Sequence, residues 1–223
     1  MTESGNPPSS SAAPSRDSLV VFDHPLIAHK MTILRDESTS HRPFRAVMAQ
    51  IAGLMVYEMT RSFETQEVRV QTPMEATAGR QLRGTITVVP VLRAGLGMVH
   101  GVLEVMPEAR VGHLGLARDE QTLKPKAYLN KLPKDLNAGP VIMVDPMLAT
   151  GGSASAAVST LKNAGADDVR AMCLVASPEG VDRLLTDHPG LPIYLAVMDE
   201  RLNEKGYILP GLGDAGDRLF GTG

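Results

Sequence analysis

The sequence predicts an α/β domain built on a mostly parallel, twisted sheet with helices on both faces. Short apolar runs rich in Val and Ile are typical of strands that a parallel sheet buries on both sides. These runs span residues 86–92, 111–116, 141–145, 169–176 and 193–199. Helical patterns lie between several of them, at residues 97–106, 152–164 and 179–188. The alternation of strands and helices favours a doubly wound sheet.

A long amphipathic helix precedes these runs. Thr39 or Ser40 is suited to cap a helix from about Pro43 to Thr60. The apolar side chains that recur at helical spacing are Phe44, Val47, Met48, Ile51, Leu54 and Met55. Residues 66–83 are less patterned, and we expect a peripheral hairpin there.

The chain of 223 residues is long enough for one domain with a large core. Residues 1–17 are rich in Ser, Pro and Ala and contain no large apolar side chain beyond Met1. Such a segment buries too little surface to offset its ordering entropy, so we predict a disordered tail. We expect residues 18–223 to form a single domain without internal repeats.

Composition excludes several classes of protein. The net charge is −3 without a long basic run, so nucleic acid is not the expected partner. No apolar stretch reaches about 18 residues, so no membrane-spanning helix is expected. Cys173, the single cysteine, lies in an apolar run and is expected in the core. The lack of a possible intramolecular disulfide and of a signal peptide favours the cytoplasm.

The most informative stretch is VIMVDPMLATGGSASAAVSTLKNAGA, residues 141–166. It is expected to form a strand that ends at Asp145, a tight loop and a helix. Gly151 and Gly152 let the backbone approach a ligand closely, and the helix start adds free N–H groups and a positive dipole. Thr150 and Ser153 add hydroxyl donors. We call residues 145–153 the phosphate loop, because this pattern favours a phosphate monoester.

A carboxylate beside a phosphate site is suited to a sugar phosphate. Asp145 is expected to lie about one sugar's breadth from the phosphate, where it can accept hydrogen bonds from a ribose hydroxyl pair. The stretch is not a P-loop of the G-x-x-x-x-G-K-[ST] type, because the Lys is missing. The alternative is a generic strand-to-helix turn, which the acid and the two hydroxyls make less favourable.

The loop sequence DPMLATGGS resembles the PRPP (phosphoribosyl diphosphate) motif of the type I phosphoribosyltransferases. Asp145 followed by Pro146 resembles the uracil phosphoribosyltransferases in particular. Further blocks resemble that family in the family's order. They are HPLIAHKMTILRDESTS (24–40), VVPVLRAGLGM (88–98), LARDEQTLKP (116–125) and GYILPGLGDAGDRLFGT (206–222).

The resemblance implies transfer of ribose 5-phosphate from PRPP to N1 of uracil, which gives UMP and diphosphate. It also implies Mg²⁺ carried mainly by the PRPP diphosphate, and we assign no protein metal ligand. The implied catalytic residues are Asp145, Arg118 and Asp214. The implied PRPP-binding residues are Arg93, Arg118, Asp145, Pro146, Met147, Leu148, Ala149, Thr150, Gly151, Gly152, Ser153 and Asp214.

Uracil recognition is assigned to a small hood, residues 203–223, over the active site. The resemblance places Ile208, Gly213, Asp214 and Ala215 around the base, and Tyr207 is expected to pack on the ring. Whether Asp214 accepts the N1 proton or orients ribose and water is left open. The run GLGDAG (211–216) also fits a dinucleotide-binding pattern, but no second strand–helix unit follows it.

The segment RDEQTLKPKAYLN, residues 118–130, is charged and lies between predicted strands. We hypothesise that it closes over PRPP and excludes water. Ala117 stands where members of the family often have an aromatic residue. The resemblance also implies a homodimer or higher homo-oligomer and a GTP effector. The alternatives are an RNA-binding regulator of the same fold and a phosphoribosyltransferase for another base.

Overall fold

The computed structural model describes residues 14–118 and 125–222. Predictions for the first thirteen residues of the tail and for residues 119–124 fall outside this part of the chain. Within it, no helix combines the length and hydropathy needed to cross a membrane. Arg16, in the remainder of the predicted tail, forms an ion pair of 2.7 Å with Asp182.

The centre of the fold is a sheet in which, among the described residues, seven strands follow the order β1-β11-β10-β8-β4-β6-β7. The short strands β5 and β9 extend it by pairing with β4 and β10. The strands of this sheet are β1 (Leu19–Val21), β4 (Thr87–Leu92), β5 (Arg110–Val111), β6 (His113–Arg118), β7 (Pro125–Lys131), β8 (Val141–Val144), β9 (Met147–Leu148), β10 (Val169–Ala176) and β11 (Ile193–Met198). Every pairing is parallel except that of β6 with β7.

Helices cover both faces of the sheet, as the sequence predicts. They are α1 (Pro25–Arg35), α2 (His41–Met59), α3 (Leu96–Val105), α4 (Gly152–Asn163), α5 (Pro178–Asp187) and α6 (Ala215–Phe220). One core cluster joins apolar residues of α1, α2, α3 and α6 to the sheet, and the other joins residues of α4 and α5 to it. The central strands β4, β8 and β10 are almost wholly buried, which explains their continuous apolar sequences.

Two small antiparallel hairpins of the described residues lie outside the main sheet. The strands β2 (Thr65–Gln71) and β3 (Ala76–Leu82) form the peripheral hairpin predicted for residues 66–83. The strands β12 (Arg201–Leu202) and β13 (Ile208–Leu209) form the second, at the start of the hood.

The prediction that residues 118–130 lie between strands is wrong for the second half of this segment. Pro125–Lys131 form β7, which pairs with β6 at the edge of the sheet. Lys, Asn and Tyr side chains on an exposed edge strand do not produce the apolar run used to recognise buried strands. The helix α1 was also not predicted, although His24 caps it through its side chain and Pro25 begins it.

Candidate active site

Three predicted donor-binding residues lie at the carboxyl ends of neighbouring strands. Arg93 follows β4, Asp145 follows β8, and Arg118 is the last residue of β6. Because β6, β4 and β8 are adjacent and parallel, their carboxyl ends lie side by side. Ligands bind at this edge in open α/β sheets. The side chain of Arg118 falls outside the described part of the chain.

The phosphate loop leaves the sheet in two steps. Beyond Asp145 and Pro146 the short strand β9 pairs with β10, and α4 then begins at Gly152 as predicted. Gly151 caps the helix with a left-handed φ of 76°, which favours glycine. A Cβ there would lie 2.7 Å from the carbonyl oxygen of Gly180 in α5, so the position also lacks room for a side chain.

The loop presents unused hydrogen-bond donors. Among the residues that the structure describes, the amides of Ala149, Thr150 and Gly151 donate to no protein acceptor. Thr150 and Ser153 are exposed beside the start of the 12-residue helix α4. This arrangement suits a bound anion, because free N–H groups and a positive helix end face the same place.

The first turn of α5 lies directly against the phosphate loop. Ser177, the fully buried N-cap of α5, donates through Oγ to the carbonyl of Ala149 at 2.6 Å and through its amide to Leu148 at 3.0 Å. A Cβ on Gly180 would lie 2.2 Å from the Ala149 carbonyl oxygen. Neither residue was predicted to belong to the site, since their role depends on how α5 packs.

Asp145 lies half-buried at the end of β8. Its Oδ1 accepts the amide N–H of Met147 at 3.3 Å. Burial raises the pKa of this carboxyl to about 7, far above that of an ordinary aspartate. In the neighbouring strand β10, Cys173 is fully buried, and burial raises the pKa of its thiol. The prediction of a core cysteine is confirmed.

The turn after β4 carries Arg93 towards the hood. Gly95 fits tightly here, since a Cβ would lie 2.5 Å from the carbonyl oxygen of Val144 in β8. The Arg93 side chain is 60% exposed, and its Nη2 lies 3.6 Å from Oδ1 of Asp217 in α6. Its guanidinium lies 5.8 Å from the ring centroid of Phe220. Arg93 therefore stands between the sheet edge and the hood.

The hood lies close to the phosphate loop. A Cβ on Gly206, in the turn between β12 and β13, would lie 3.4 Å from Cγ2 of Thr150. Ile208 is buried, whereas Tyr207 is 47% exposed. The predicted phosphate and uracil regions are thus neighbours in space although about sixty residues separate them in the sequence.

The predicted base-binding residues at the end of the hood differ in exposure. Gly213 is exposed with a φ of 75°, and Ala215 is buried at the start of α6. Asp214 is exposed and caps α6, since its Oδ1 accepts the amide of Asp217 at 3.0 Å. Its neighbour Gly216 is close to Arg93, with 3.7 Å between a built Cβ and Nη2.

The run GLGDAG does not form a dinucleotide-binding turn. The strand before it, β13, belongs to a small antiparallel hairpin instead of the parallel sheet, and the helix after it has six residues. A dinucleotide fold requires a parallel strand and a crossover helix at these places. The expectation that this pattern is not a dinucleotide-binding site is therefore supported by the fold.

An ion pair anchors the hood to α1. Arg35 contacts both carboxylate oxygens of Asp199, whose side chain is only 3% exposed, with 3.0 Å between Nη1 and Oδ2. The amide of Gly211 donates to Asp199 Oδ2 at 2.9 Å, and the Gly211 carbonyl accepts Nη1 of Arg35 at 2.6 Å.

A second arginine holds the next residue of the hood. Arg218 donates to the carbonyl of Leu212 at 2.8 Å and to that of Leu34 at 2.9 Å, and its guanidinium lies 4.5 Å from the Phe44 ring centroid. We did not predict Arg35, Asp199 or Arg218 as site residues. For Asp199 the sequence did offer a signal, an acid at the end of a buried strand, which is the signal that identified Asp145.

The sheet order, the phosphate loop after β8 and the arginine turn after β4 together define a type I phosphoribosyltransferase. The family model described as uracil phosphoribosyltransferase matches residues 20–222. This chain therefore belongs to the uracil phosphoribosyltransferase family and is an enzyme of the glycosyltransferase class.

Relatives and a solved structure agree with this assignment. A uracil phosphoribosyltransferase of Acholeplasma laidlawii is 57% identical over 204 residues, which are 92% of this chain and 98% of the relative. One of Bacillus licheniformis is 55% identical over 91% of this chain and 97% of its own length. The solved structure of the AQ2163 protein from Aquifex aeolicus is similar with a TM-score of 0.87 and 38% identity, over 92% of this chain and 98% of that one.

Proposed function

We propose a set of residue roles by which this enzyme transfers ribose 5-phosphate from PRPP to N1 of uracil, leaving UMP and diphosphate. The observation that carries the proposal is the phosphate loop, whose free amides lie beside a carboxylate and beneath the hood. The 5-phosphate of PRPP binds the amides and hydroxyls between Ala149 and Ser153. The α4 dipole adds to this attraction.

Asp145 binds the ribose hydroxyls in this proposal. The pKa of about 7 means that the free enzyme holds this carboxyl partly protonated near neutral pH. Hydrogen bonds from two hydroxyls favour the ionised form, so in this proposal the carboxylate is the form that binds the ribose of PRPP.

The leaving diphosphate gains charge as the C1–O bond breaks, and cations placed there stabilise the transition state. We assign this role to Arg93 and Arg118, whose planar guanidinium groups match phosphate oxygens. The described residues contain no cluster of three or more His, Cys, Asp or Glu able to hold a metal. A few carboxylates around substrate phosphates suit Mg²⁺. Bound with PRPP, Mg²⁺ would neutralise charge on the diphosphate, and we assign it no protein ligand.

Uracil binds to backbone groups of the hood. Its edge offers a carbonyl, an N–H and a second carbonyl, which backbone amides and carbonyls near Ile208, Gly213 and Ala215 can match. Tyr207 packs against the ring. Asp214 either accepts the N1 proton or orients ribose and water. Asp214→Asn separates strong from weak dependence on this carboxylate, and a kcat near that of the unaltered enzyme excludes a required base.

The experiment that tests the function is UMP formation from radiolabelled uracil, PRPP and Mg²⁺, with orotate, cytosine and hypoxanthine as competing bases. We expect UMP as the main product. Preference for another base would overturn the uracil assignment. Kinetics of Arg118→Ala test the role assigned to Arg118, because an unchanged kcat/KM contradicts it.

Three further properties belong to the proposal. We infer a cytoplasmic homo-oligomer, either a homodimer or a larger assembly, that responds to GTP, on the basis of the family resemblance. Neither nucleic acid nor a membrane is proposed as a partner. Light scattering measures the mass of the assembly, and a titration of activity with GTP tests the effector. A monomer, or kinetics insensitive to GTP, would contradict the corresponding part.

A further inference from the structure

We propose that Arg35, Asp199 and Arg218 are positioning residues for uracil recognition, which orient the backbone of the hood so that its amides face the base. The inference rests on the proposed function of the hood as the uracil site. None of the three needs to touch uracil. They act through the peptide groups of Gly211 and Leu212.

Both backbone groups of Gly211 are fixed by the ion pair. Its amide donates to Asp199 Oδ2 at 2.9 Å, and its carbonyl accepts Arg35 Nη1 at 2.6 Å. Arg35 and Asp199 also bind each other in a fork, and the Asp199 side chain is 3% exposed. Buried, charge-assisted hydrogen bonds in a fork geometry are among the strong ones. This ion pair sets the direction of the Gly211 peptide groups.

Arg218 fixes the next carbonyl. Its Nη1 donates to Leu212 at 2.8 Å and, at the same time, to the carbonyl of Leu34 at 2.9 Å. The packing of its guanidinium on Phe44 limits where the fork can move. Two successive hood carbonyls, those of Gly211 and Leu212, are therefore held by two arginines from different parts of the chain.

Held carbonyls determine where the following amides point. The peptide groups after Gly211 and Leu212 are trans, so each N–H points opposite to the carbonyl of the same peptide group. The amides of Leu212 and Gly213 therefore point away from the two guanidinium groups. Neither amide donates to an acceptor among the described residues. Gly213 is exposed, so its N–H is available to a carbonyl of the base.

The direction of these peptide groups decides what the hood can recognise. If the Leu212 peptide group turned over, a carbonyl oxygen would replace the Gly213 N–H and would repel a uracil carbonyl. Glycine at 211 and 213, both at positive φ, makes such a turn sterically accessible. The arginines oppose it, because turning either carbonyl would break a hydrogen bond to a charged donor.

The test compares arginine-to-methionine variants, which keep the apolar stem and remove every donor. Arg218→Met is the first. The second is Arg35→Met combined with Asp199→Asn, because Arg35→Met alone would leave a buried carboxylate unpaired. Arg45→Met is the matched control. Arg45 also donates to a carbonyl near the chain end, that of Leu219 at 2.9 Å, but it does not touch the Gly211–Leu212 turn.

We expect the KM for uracil to rise about tenfold in both test variants, which matches the loss of one oriented hydrogen bond. The KM for PRPP should stay within about twofold, and Arg45→Met should leave both constants unchanged even if its Tm falls. Arg218→Lys keeps one donor and should restore part of the uracil affinity. A structural role alone would lower Tm without this separation of the two KM values.

Other results overturn the inference. If folded Arg218→Met and the Arg35→Met, Asp199→Asn pair keep a normal KM for uracil, the arginines do not position the hood. A parallel rise of both KM values also contradicts it. Failure of the unaltered enzyme to form UMP is a different outcome, because it contradicts the proposed function before any variant is compared.

Discussion

The phosphate loop and the hood both present backbone amides to a ligand in our proposals, yet different forces hold them. The phosphate loop is held by close packing, since Gly151 and Gly180 bring two backbones into direct contact and leave no room for a Cβ. Ser177 anchors it from the N-cap of α5 through a neutral hydroxyl. The hood is instead held by two arginines and a buried aspartate.

The difference follows from where each region lies in the fold. The phosphate loop connects β8 to α4 and lies against the N-terminus of α5, so the sheet and helices fix it on three sides. The hood is a small hairpin and a short helix with little core of their own. Its buried residues Ile208, Leu212, Ala215 and Leu219 pack into the main core. Charged side chains from α1 and α6 add directional hydrogen bonds to the carbonyls of Gly211 and Leu212. Steric contact and neutral groups thus position one region, whereas charged hydrogen bonds add to the packing of the other.

Arg93 lies between the two regions, and its loss should have the largest effect. We expect Arg93→Ala to lower kcat/KM about 100- to 1,000-fold, because charge on the leaving diphosphate loses a preorganised partner. Steady-state kinetics with both substrates measure this. Asp217→Asn is the control, since an ion pair of 3.6 Å between exposed groups contributes little. If the kcat/KM of Arg93→Ala stays within about threefold of that of the unaltered enzyme, Arg93 does not stabilise the leaving diphosphate.

Gly180→Ala tests the packing of the phosphate loop. The new Cβ would lie 2.2 Å from the carbonyl oxygen of Ala149, so the loop or α5 must shift. We expect the KM for PRPP to rise about tenfold or more while the KM for uracil changes little. Alanine favours a helix by about 1 kcal/mol relative to glycine, so weakened helix formation does not explain such a loss.

A control on the same helix is Thr186→Ala, at an exposed position whose hydroxyl bonds only within α5. Its kinetic constants should equal those of the unaltered enzyme. Equal KM values for PRPP in Gly180→Ala and Thr186→Ala would show that the contact between α5 and the loop is not required.

Asp145 predicts how donor binding depends on pH. If the ionised carboxyl binds ribose and its pKa is about 7, the KM for PRPP should rise about tenfold between pH 8 and pH 6. Asp145→Asn should have a higher KM for PRPP, and that KM should lack the rise of about tenfold between pH 8 and pH 6 that Asp145 causes. Because the phosphate of PRPP titrates equally for both enzymes, the difference between their profiles isolates Asp145. If the two plots of the KM for PRPP against pH had the same shape, titration of Asp145 would not control PRPP binding.

The raised pKa of Asp145 also makes the free energy of unfolding depend on pH. The folded-state pKa of Asp145 lies above its ordinary value of 3.8, so the folded protein binds this proton more tightly than the unfolded chain. The resulting stabilisation is fully present below pH 4 and is lost as the pH rises through about 7. Denaturant unfolding at pH 5 and pH 8 should therefore show a smaller loss for Asp145→Asn than for the unaltered protein.

The comparison also explains what the sequence could predict. The strand at 169–176 and the start of α4 at Gly152 were predicted at their observed positions, because apolar runs and glycine-rich turns are local signals. The phosphate loop is one continuous segment, so its acid, glycines and hydroxyls were visible together. Residues of the hood could be assigned to uracil only through resemblance to a family.

The supports of the hood are not local. Arg35 and Asp199 are 164 residues apart, and Arg218 reaches Leu34 across 184 residues. No spacing in the sequence pairs them, since their contact depends on α1 packing beside β11 and on the course of the chain end. The edge strand β7 was missed for a related reason, because its pairing with β6 is set by the sheet and not by its own composition.

Ser177→Ala should have the smallest effect, and it compares a neutral anchor with a charged one. A neutral hydrogen bond contributes about 1 kcal/mol, less than a hydrogen bond to a charged group. The Gly180 contact still holds the loop in place. We expect the KM for PRPP to rise about threefold, less than Arg218→Met raises that for uracil.

Ser177→Gly is the control, because glycine is also suited to an N-cap. Its KM for PRPP should equal that of Ser177→Ala if the hydroxyl donor and not the cap is responsible. A larger effect at Ser177 than at Arg218 would mean that the loop depends on its hydrogen bond more than on steric contact, and the distinction between the two regions would fail.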